Sequence, residues 1–247
     1  MQPCPTLSQF SGTVCAGPPI HRRHGYRWVS PVHEVLSWQG PGGQPPAAFA
    51  EGIQLDHHPD DTKSRGQYLP LLELAVAEDP DNDRNIHYLG REYFFHGNWD
   101  AAISTLKRHL QLPRDTWADE RCASMRYIAK CYVNLQNYEK AQRWFLRAVA
   151  QAPHLREPWL DFAVFAYENQ DWYLLLWLTG RALAIQERPR TYITEAASWG
   201  TLPDDLASLG YFYTGQYEKA LLHVNRALEI EPANPRLLKT GNGSCPL

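Results

Sequence analysis

From Ser64 onward, apolar residues recur three and four positions apart in long stretches, interrupted by short breaks at Gly97, Pro113, Pro153, Pro189 and Pro232. That period is the signature of amphipathic helices, and breaks this short fold successive helices into antiparallel hairpins. The chain ahead of Ser64 has no such period. Its prolines and glycines crowd into segments such as Gly40 to Phe49 (GPGGQPPAAF), which predicts loops. Val29, Val32 and Val35 beside Tyr26 and Trp28 suggest short extended pieces, which Pro31 confines to an edge or a bend. The pattern divides the chain into a loop-rich segment 1–63, a helix within 64–82 and a helical array over 83–240.

Aligning the chain with itself shows why the array is regular. The stretches beginning GNWDAAI at Gly97, QNYEKAQ at Gln136, QDWYLLL at Gln170 and GQYEKAL at Gly215 each place an aromatic two residues after a turn residue, then an amphipathic helix. This resembles the tetratricopeptide repeat and implies an all-α fold: a TPR-type α-solenoid of helical hairpins, preceded by a short irregular or α/β remnant. With the small residues in register, units start near 83, 122, 156 and 201, at spacings of 39, 34 and 45 residues. The two long junctions hold insertions at Pro113 to Glu120 and at Glu187 to Gly200, the second expected to extend a helix or form a short extra one.

In such a hairpin, Gly90, Ala129, Ala163 and Ser208 are expected to face Ala102, Ala141, Leu175 and Ala220, where little bulk separates the two backbones. Leu175 is the misfit and predicts a wider helix spacing or a shift of register. Trp99, Tyr138, Trp172 and Tyr217 are expected to cover the turns and enter the seam with the next unit. The helix within 64–82, with Leu71, Leu72, Ala75 and Val76 on one face, is expected to cap the stack against Ile86 and Leu89.

Composition narrows the function classes. A net charge of −3 over 247 residues disfavours nucleic-acid binding by bulk charge, and no apolar run reaches the length of a membrane span. Five scattered cysteines without a C-x-x-C pair argue against a disulfide framework or a zinc knuckle and make the cytoplasm the expected location.

Carried onto this sequence, the groove-lining positions of the repeat family fall on Arg84, His87 and Arg91 in the first unit and on Arg126 and Lys130 in the second. These form a basic start suited to a carboxylate, a phosphate or an acidic peptide. The competing reading pairs Arg91 with Glu92 or Glu120 and leaves the others as solvated surface.

Two polar clusters lie outside the repeats: HRRHGYRWVSPVHEV (His21 to Val35) and IQLDHHPDDTKSR (Ile53 to Arg65). With the following LLELAVAEDP, YLGREYFF and LPRDTWADER strings, they resemble the end of a family-2-type inverting glycosyltransferase catalytic domain followed by tetratricopeptide repeats. The resemblance implies transfer of a hexose from a nucleotide sugar, aided by a divalent cation (Mn or Mg) at the leaving diphosphate. It implies His33 and Glu34 as catalytic groups at the pocket wall, His57 or His58 as a metal contact, and Lys63 and Arg65 at the diphosphate. A hydrogen-bonded surface histidine cluster is the competing reading of the same residues. Only 32 residues precede His33, whereas a nucleotide-binding sheet needs roughly 100, so the donor-binding half is expected to be missing and the chain alone inactive. The literal Asp-x-Asp spellings, Asp79-Pro80-Asp81 and Asp81-Asn82-Asp83, sit where a turn is expected and are better cap residues than metal ligands. The alternative function is a non-enzymatic scaffold that binds an acidic peptide or protein partner in the groove.

Overall fold

The computed structural model describes residues 24–29, 35–43, 65–113 and 117–241. They fall into two compact units, one within 24–113 and the other within 117–241.

The first unit opens with two antiparallel strands, β1 (Tyr26–Val29) and β2 (Val35–Trp38), paired from Tyr26 opposite Trp38 to Val29 opposite Val35. The Trp38 ring explains the neighbouring glycines: a Cβ on Gly25 or on Gly40 would come within 2.1 Å of it. This is a hairpin, and the described residues contain no parallel strand that would make it part of an α/β layer.

Three helices follow: α1 (Tyr68–Glu78), α2 (Asp83–Phe95) and α3 (Trp99–His109). Helix α1 packs on α2, where Ile86 and Leu89 are buried, with Leu72, Ala75 and Val76 inward; Leu71, expected on that face, is exposed. Side chains secure the joint, since the Tyr93 hydroxyl donates to Glu73 at 2.8 Å and Arg108 donates to the Pro80 carbonyl. Asn82 caps α2 by accepting from the Asn85 amide at 3.0 Å, which confirms the Asp-rich stretch there as turn and cap. Gly90 is small for a reason: an added Cβ would lie 2.5 Å from Leu106, one turn beyond the expected Ala102.

The second unit holds three hairpins, α4 (Ala118–Asn134) with α5 (Tyr138–Gln151), α6 (Arg156–Glu168) with α7 (Trp172–Leu183), and α8 (Leu202–Tyr213) with α9 (Tyr217–Ile230), then α10 (Pro235–Gly241). Part of the first insertion lengthens α4 by Ala118 to Glu120; the second forms a 3-10 turn at Ala196–Trp199 in an otherwise irregular segment. The first helices touch one another directly, α4 with α6 and α6 with α8, while each second helix packs on the next first helix. That arrangement makes the first helices the inner row of a helical-repeat stack.

Aromatic rings hold the seams: Phe145 stacks on Phe162 at 5.5 Å, Tyr138 meets Phe165 at 6.2 Å and Trp172 stacks on Tyr213 at 4.2 Å. Trp99 and Tyr217 instead cover their own turns, edge-on to Phe94 and Phe212, and Tyr217 stays 64% exposed. Leu175 is fully buried, and the glycine at 210 on the next hairpin makes room for its neighbour: a Cβ there would lie 2.8 Å from Leu176, whereas its 3.4 Å to Leu175 is an ordinary contact.

All four hairpin turns share one geometry. In the α4–α5 turn the Asn137 amide donates to the Tyr132 carbonyl and the Gln136 amide to the Val133 carbonyl, the Schellman pattern that satisfies the last carbonyls of a helix. The same pairs recur as Asn98 to Tyr93, Asp171 to Ala166 and Gln216 to Tyr211. The middle residue must adopt a positive φ, which Gly97 and Gly215 do freely at 73° and 75° and Gln136 and Gln170 do under strain at 55° and 57°. Gln136→Gly and Gln170→Gly should therefore each stabilise the fold by about 1 kcal/mol, raising the calorimetric midpoint by roughly 2–4 °C. Unchanged or lowered midpoints would show that no strain resides in these turns.

Candidate functional site

The inner row of the second unit carries a charge cluster inside a protein-like environment. Arg126 on α4 is 3% exposed at its side chain; its Nε donates to Asp161 Oδ2 on α6 at 2.6 Å and its Nη2 to Glu195 Oε1 at 2.7 Å. Lys130, one turn on, reaches the same Asp161 oxygen at 2.8 Å and remains 30% exposed. Helical spacing puts Arg126 and Lys130 on one face, and direct packing of α4 on α6 brings Asp161 opposite.

Glu157, one turn before Asp161 on α6, holds the insertion from below. Its Oε1 accepts from the Glu195 amide at 3.1 Å and from the Trp199 indole at 3.3 Å, while its buried Oε2 has no hydrogen-bond partner. Arg156 donates to the Ile185 carbonyl at 2.7 and 2.9 Å and lies 4.0 Å from the Trp199 ring centre. Tyr192 donates its hydroxyl to Glu120 and packs edge-on against Trp117 at 5.4 Å. The insertion between α7 and α8 is therefore seated on the side chains of α4 and α6.

The electrostatics of the two carboxyls run in opposite directions. Burial pushes the Glu157 carboxyl above its usual range, only partly opposed by Arg126. Burial acts the same way on Asp161, but the Arg126 and Lys130 charges outweigh it and hold that carboxyl below its usual range.

In the first unit, the Arg84 and Arg91 guanidinium groups lie 5.3 and 5.0 Å from the Tyr88 ring centre, and Arg91 also approaches Phe95 at 5.8 Å. This stripe follows the 84–88–91–95 spacing of α2. His87 turns the other way into the hairpin, 1% exposed and 5.4 Å from the His109 ring. Burial first, and then the Arg91 and His109 charges, push the His87 imidazole well below its ordinary pKa of 6.5. His87 thus occupies the hairpin interior; Tyr88 beside it is buried as well, and only the flanking Arg84 and Arg91 are partly exposed. Arg126 likewise differs from an open cation: its guanidinium is enclosed by carboxylates.

His33, Glu34, His57, His58 and Lys63 lie outside the described residues; Arg65 opens a 3-10 turn, and its side chain lies outside them as well. Among the described residues there is no cluster of three or more metal-ligating side chains and no helix long and apolar enough to cross a membrane. Two members of the cluster, Asp161 and Glu195, were missed by sequence reasoning. Asp161 lies four residues after Glu157 and could have been found by that spacing; Glu195 lies in the insertion, where no period marks it.

A tetratricopeptide-repeat family profile matches residues 128–154, spanning most of the α4–α5 hairpin. Solved structures extend the likeness. BtubC from P. vanneervenii is 19% identical, covering 68% of this chain and 73% of that one with a TM-score of 0.57. MamA is 15% identical over 66% of this chain and 86% of its own, at 0.53. YrrB, described as a TPR protein with an unusual peptide-binding site, is 16% identical over 72% and 83%, at 0.50. The fold is that of tetratricopeptide repeats. At these identities the likeness concerns fold alone, and it gives no support to a glycosyltransferase domain or a remnant of one. Comparison with curated protein sequences gives no match.

Two pH dependences follow. A carboxyl whose folded pKa is raised stabilises below its unfolded pKa and loses that stabilisation as pH rises through the folded value. Wild-type unfolding free energy should thus decline as pH rises just above the ordinary carboxylate range, and Glu157→Gln, which keeps an acceptor for Glu195 and Trp199, should remove that decline; an identical slope in urea titrations would refute the assignment. His87, with its folded pKa depressed, costs nothing above pH 6.5 and destabilises as pH falls below it, because the unfolded chain takes up the proton first. Amide exchange across α2 and α3, corrected for intrinsic rate, should rise on acidification in the wild type and less in His87→Leu.

Proposed function

We propose that this chain is a non-enzymatic binding scaffold whose inner helix row, α4, α6 and α8, engages an acidic peptide or protein segment. The observation that carries this reading is the Arg126–Lys130 pair: two adjacent cations on that row, of which the enclosed Arg126 already holds a carboxylate from outside the helical hairpins, that of Glu195. Without Glu195 the pair faces Asp161 as its one directly bonded carboxylate, which leaves a local excess of positive charge despite the overall −3. YrrB, of the same fold, is described as having a peptide-binding site, which supports the reading by analogy of architecture. In the first unit, Arg84 and Arg91 flanking Tyr88 are proposed as partner contacts of that unit. Glycosyl transfer through His33, Glu34, His57, His58, Lys63 and Arg65 with a nucleotide sugar and a divalent cation finds no supporting observation among the described residues.

Lys130 is the residue to change, because its partial exposure lets its charge be altered with less damage than at Arg126. Fluorescein-labelled Glu-containing peptides and their Gln counterparts should be titrated against the full chain by anisotropy. The acidic peptides should bind more tightly, and Lys130→Glu should weaken them about tenfold, some 1.4 kcal/mol, while cooperative melting persists. Equal binding of Glu and Gln peptides, or no effect of Lys130→Glu, would reject the acidic-partner reading.

A further inference from the structure

The segment from Glu187 to Gly200 is longer than a hairpin junction needs, since the unit containing it runs 45 residues from 156 to 201 against roughly 34 for the repeat. Ile193, Thr194 and Ser198 are buried within it, and discrete polar anchors hold the rest. Its own backbone hydrogen bonds are confined to short turns, from Thr194 to Thr191, Ser198 to Glu195 and Gly200 to Ala197. Three of its side chains meet polar partners on the inner helices: the Tyr192 hydroxyl at Glu120, the Glu195 carboxylate on Arg126 at 2.7 Å and the Trp199 indole on Glu157 at 3.3 Å. The Glu195 amide adds a backbone contact to Glu157, as an extended ligand would.

The seat is also imperfectly filled. Glu157 is 1% exposed, and its second carboxyl oxygen, Oε2, is buried without a hydrogen-bond partner beside a segment that supplies donors only to Oε1. A buried acceptor left open costs stability that a better-matched ligand would recover.

We propose that residues 187–200 are a built-in, displaceable occupant of the inner row, and that the partner which displaces them is an extended peptide segment of the same chemistry. Such a segment carries a carboxylate for Arg126, an N–H donor group for Glu157 a few residues later and a hydroxyl-bearing aromatic ahead of both. This deepens the scaffold reading and rests on it: the segment regulates access to the face by competing for it. Because the competitor is tethered, its effective concentration is high, and a partner in trans binds weakly until the tethered anchors are loosened.

The test uses the full chain and a fluorescein-labelled peptide of residues 191–200. Tyr192→Phe combined with Glu195→Gln cuts two anchors without shortening the segment. Anisotropy should show the peptide binding this double variant at least tenfold more tightly than the wild type, and a peptide with Gln in place of Glu195 should lose that gain. In the wild type, saturating peptide should raise amide exchange over 187–200 while α4 to α9 stay protected. Equal affinity for both proteins would overturn the proposal, as would loss of α4 to α9 protection in the double variant, since the segment would then be a structural strut. If acidic peptides bind in a Lys130-dependent way but the double variant gains nothing, the scaffold reading survives and the displaceable occupant does not. If no peptide binds either protein, both fall.

Discussion

A guanidinium removed from water is expensive unless carboxylates surround it, and Arg126 is such a group. Neither of its bonded carboxylates comes from its own hairpin: Asp161 comes from α6 and Glu195 from the junction before α8. One desolvated charge therefore fixes the register of α4 against α6 and the course of the segment after α7. Lys130 shares Asp161, and Glu157 grips the backbone and the indole of the same segment. The polar cluster and the path of the insertion are one structural feature.

That cluster can exist on the inner row because apolar seams hold the hairpins elsewhere. Phe145 on Phe162 and Trp172 on Tyr213 join successive hairpins, and buried alanines at 102, 129, 141 and 163 let helices approach closely. Schellman turns then hand each first helix to its second at a fixed angle, even where glutamine must accept a left-handed backbone. With stacking secured by these features, the inner helices can carry a charge cluster beside their core residues. A repeat fold commonly divides its sequence in this way between a stacking side and a binding side.

The opposite behaviour of the two buried carboxyls follows from the same geometry. Two cations hold the Asp161 carboxyl below its usual range, whereas burial pushes the enclosed Glu157 carboxyl, with one oxygen lacking a donor, above it. An inner face with one carboxyl satisfied and another incompletely so is asymmetric in its demand for ligand groups. It calls for an anion at Arg126 and a donor at Glu157, spaced by the distance between adjacent helices.

The chain's periodicity by itself determined the helical hairpins, their number, the small residues at their crossings and the aromatic after each turn, because backbone hydrogen bonding and the 3.6-residue repeat are local and leave their trace in neighbouring residues. It also marked 187–200 as surplus to the repeat. Tertiary structure alone decided that Leu176 would pack against Gly210 of the next hairpin, that His87 would turn inward while Tyr88 joined Arg84 and Arg91, and that Glu195 would cross to Arg126. Each of these depends on which side chains meet from distant parts of the chain. A single rotation of about 100° per residue along a helix separates a core position from a surface one, and the pairing of buried charges is settled by packing, which no spacing along the sequence encodes.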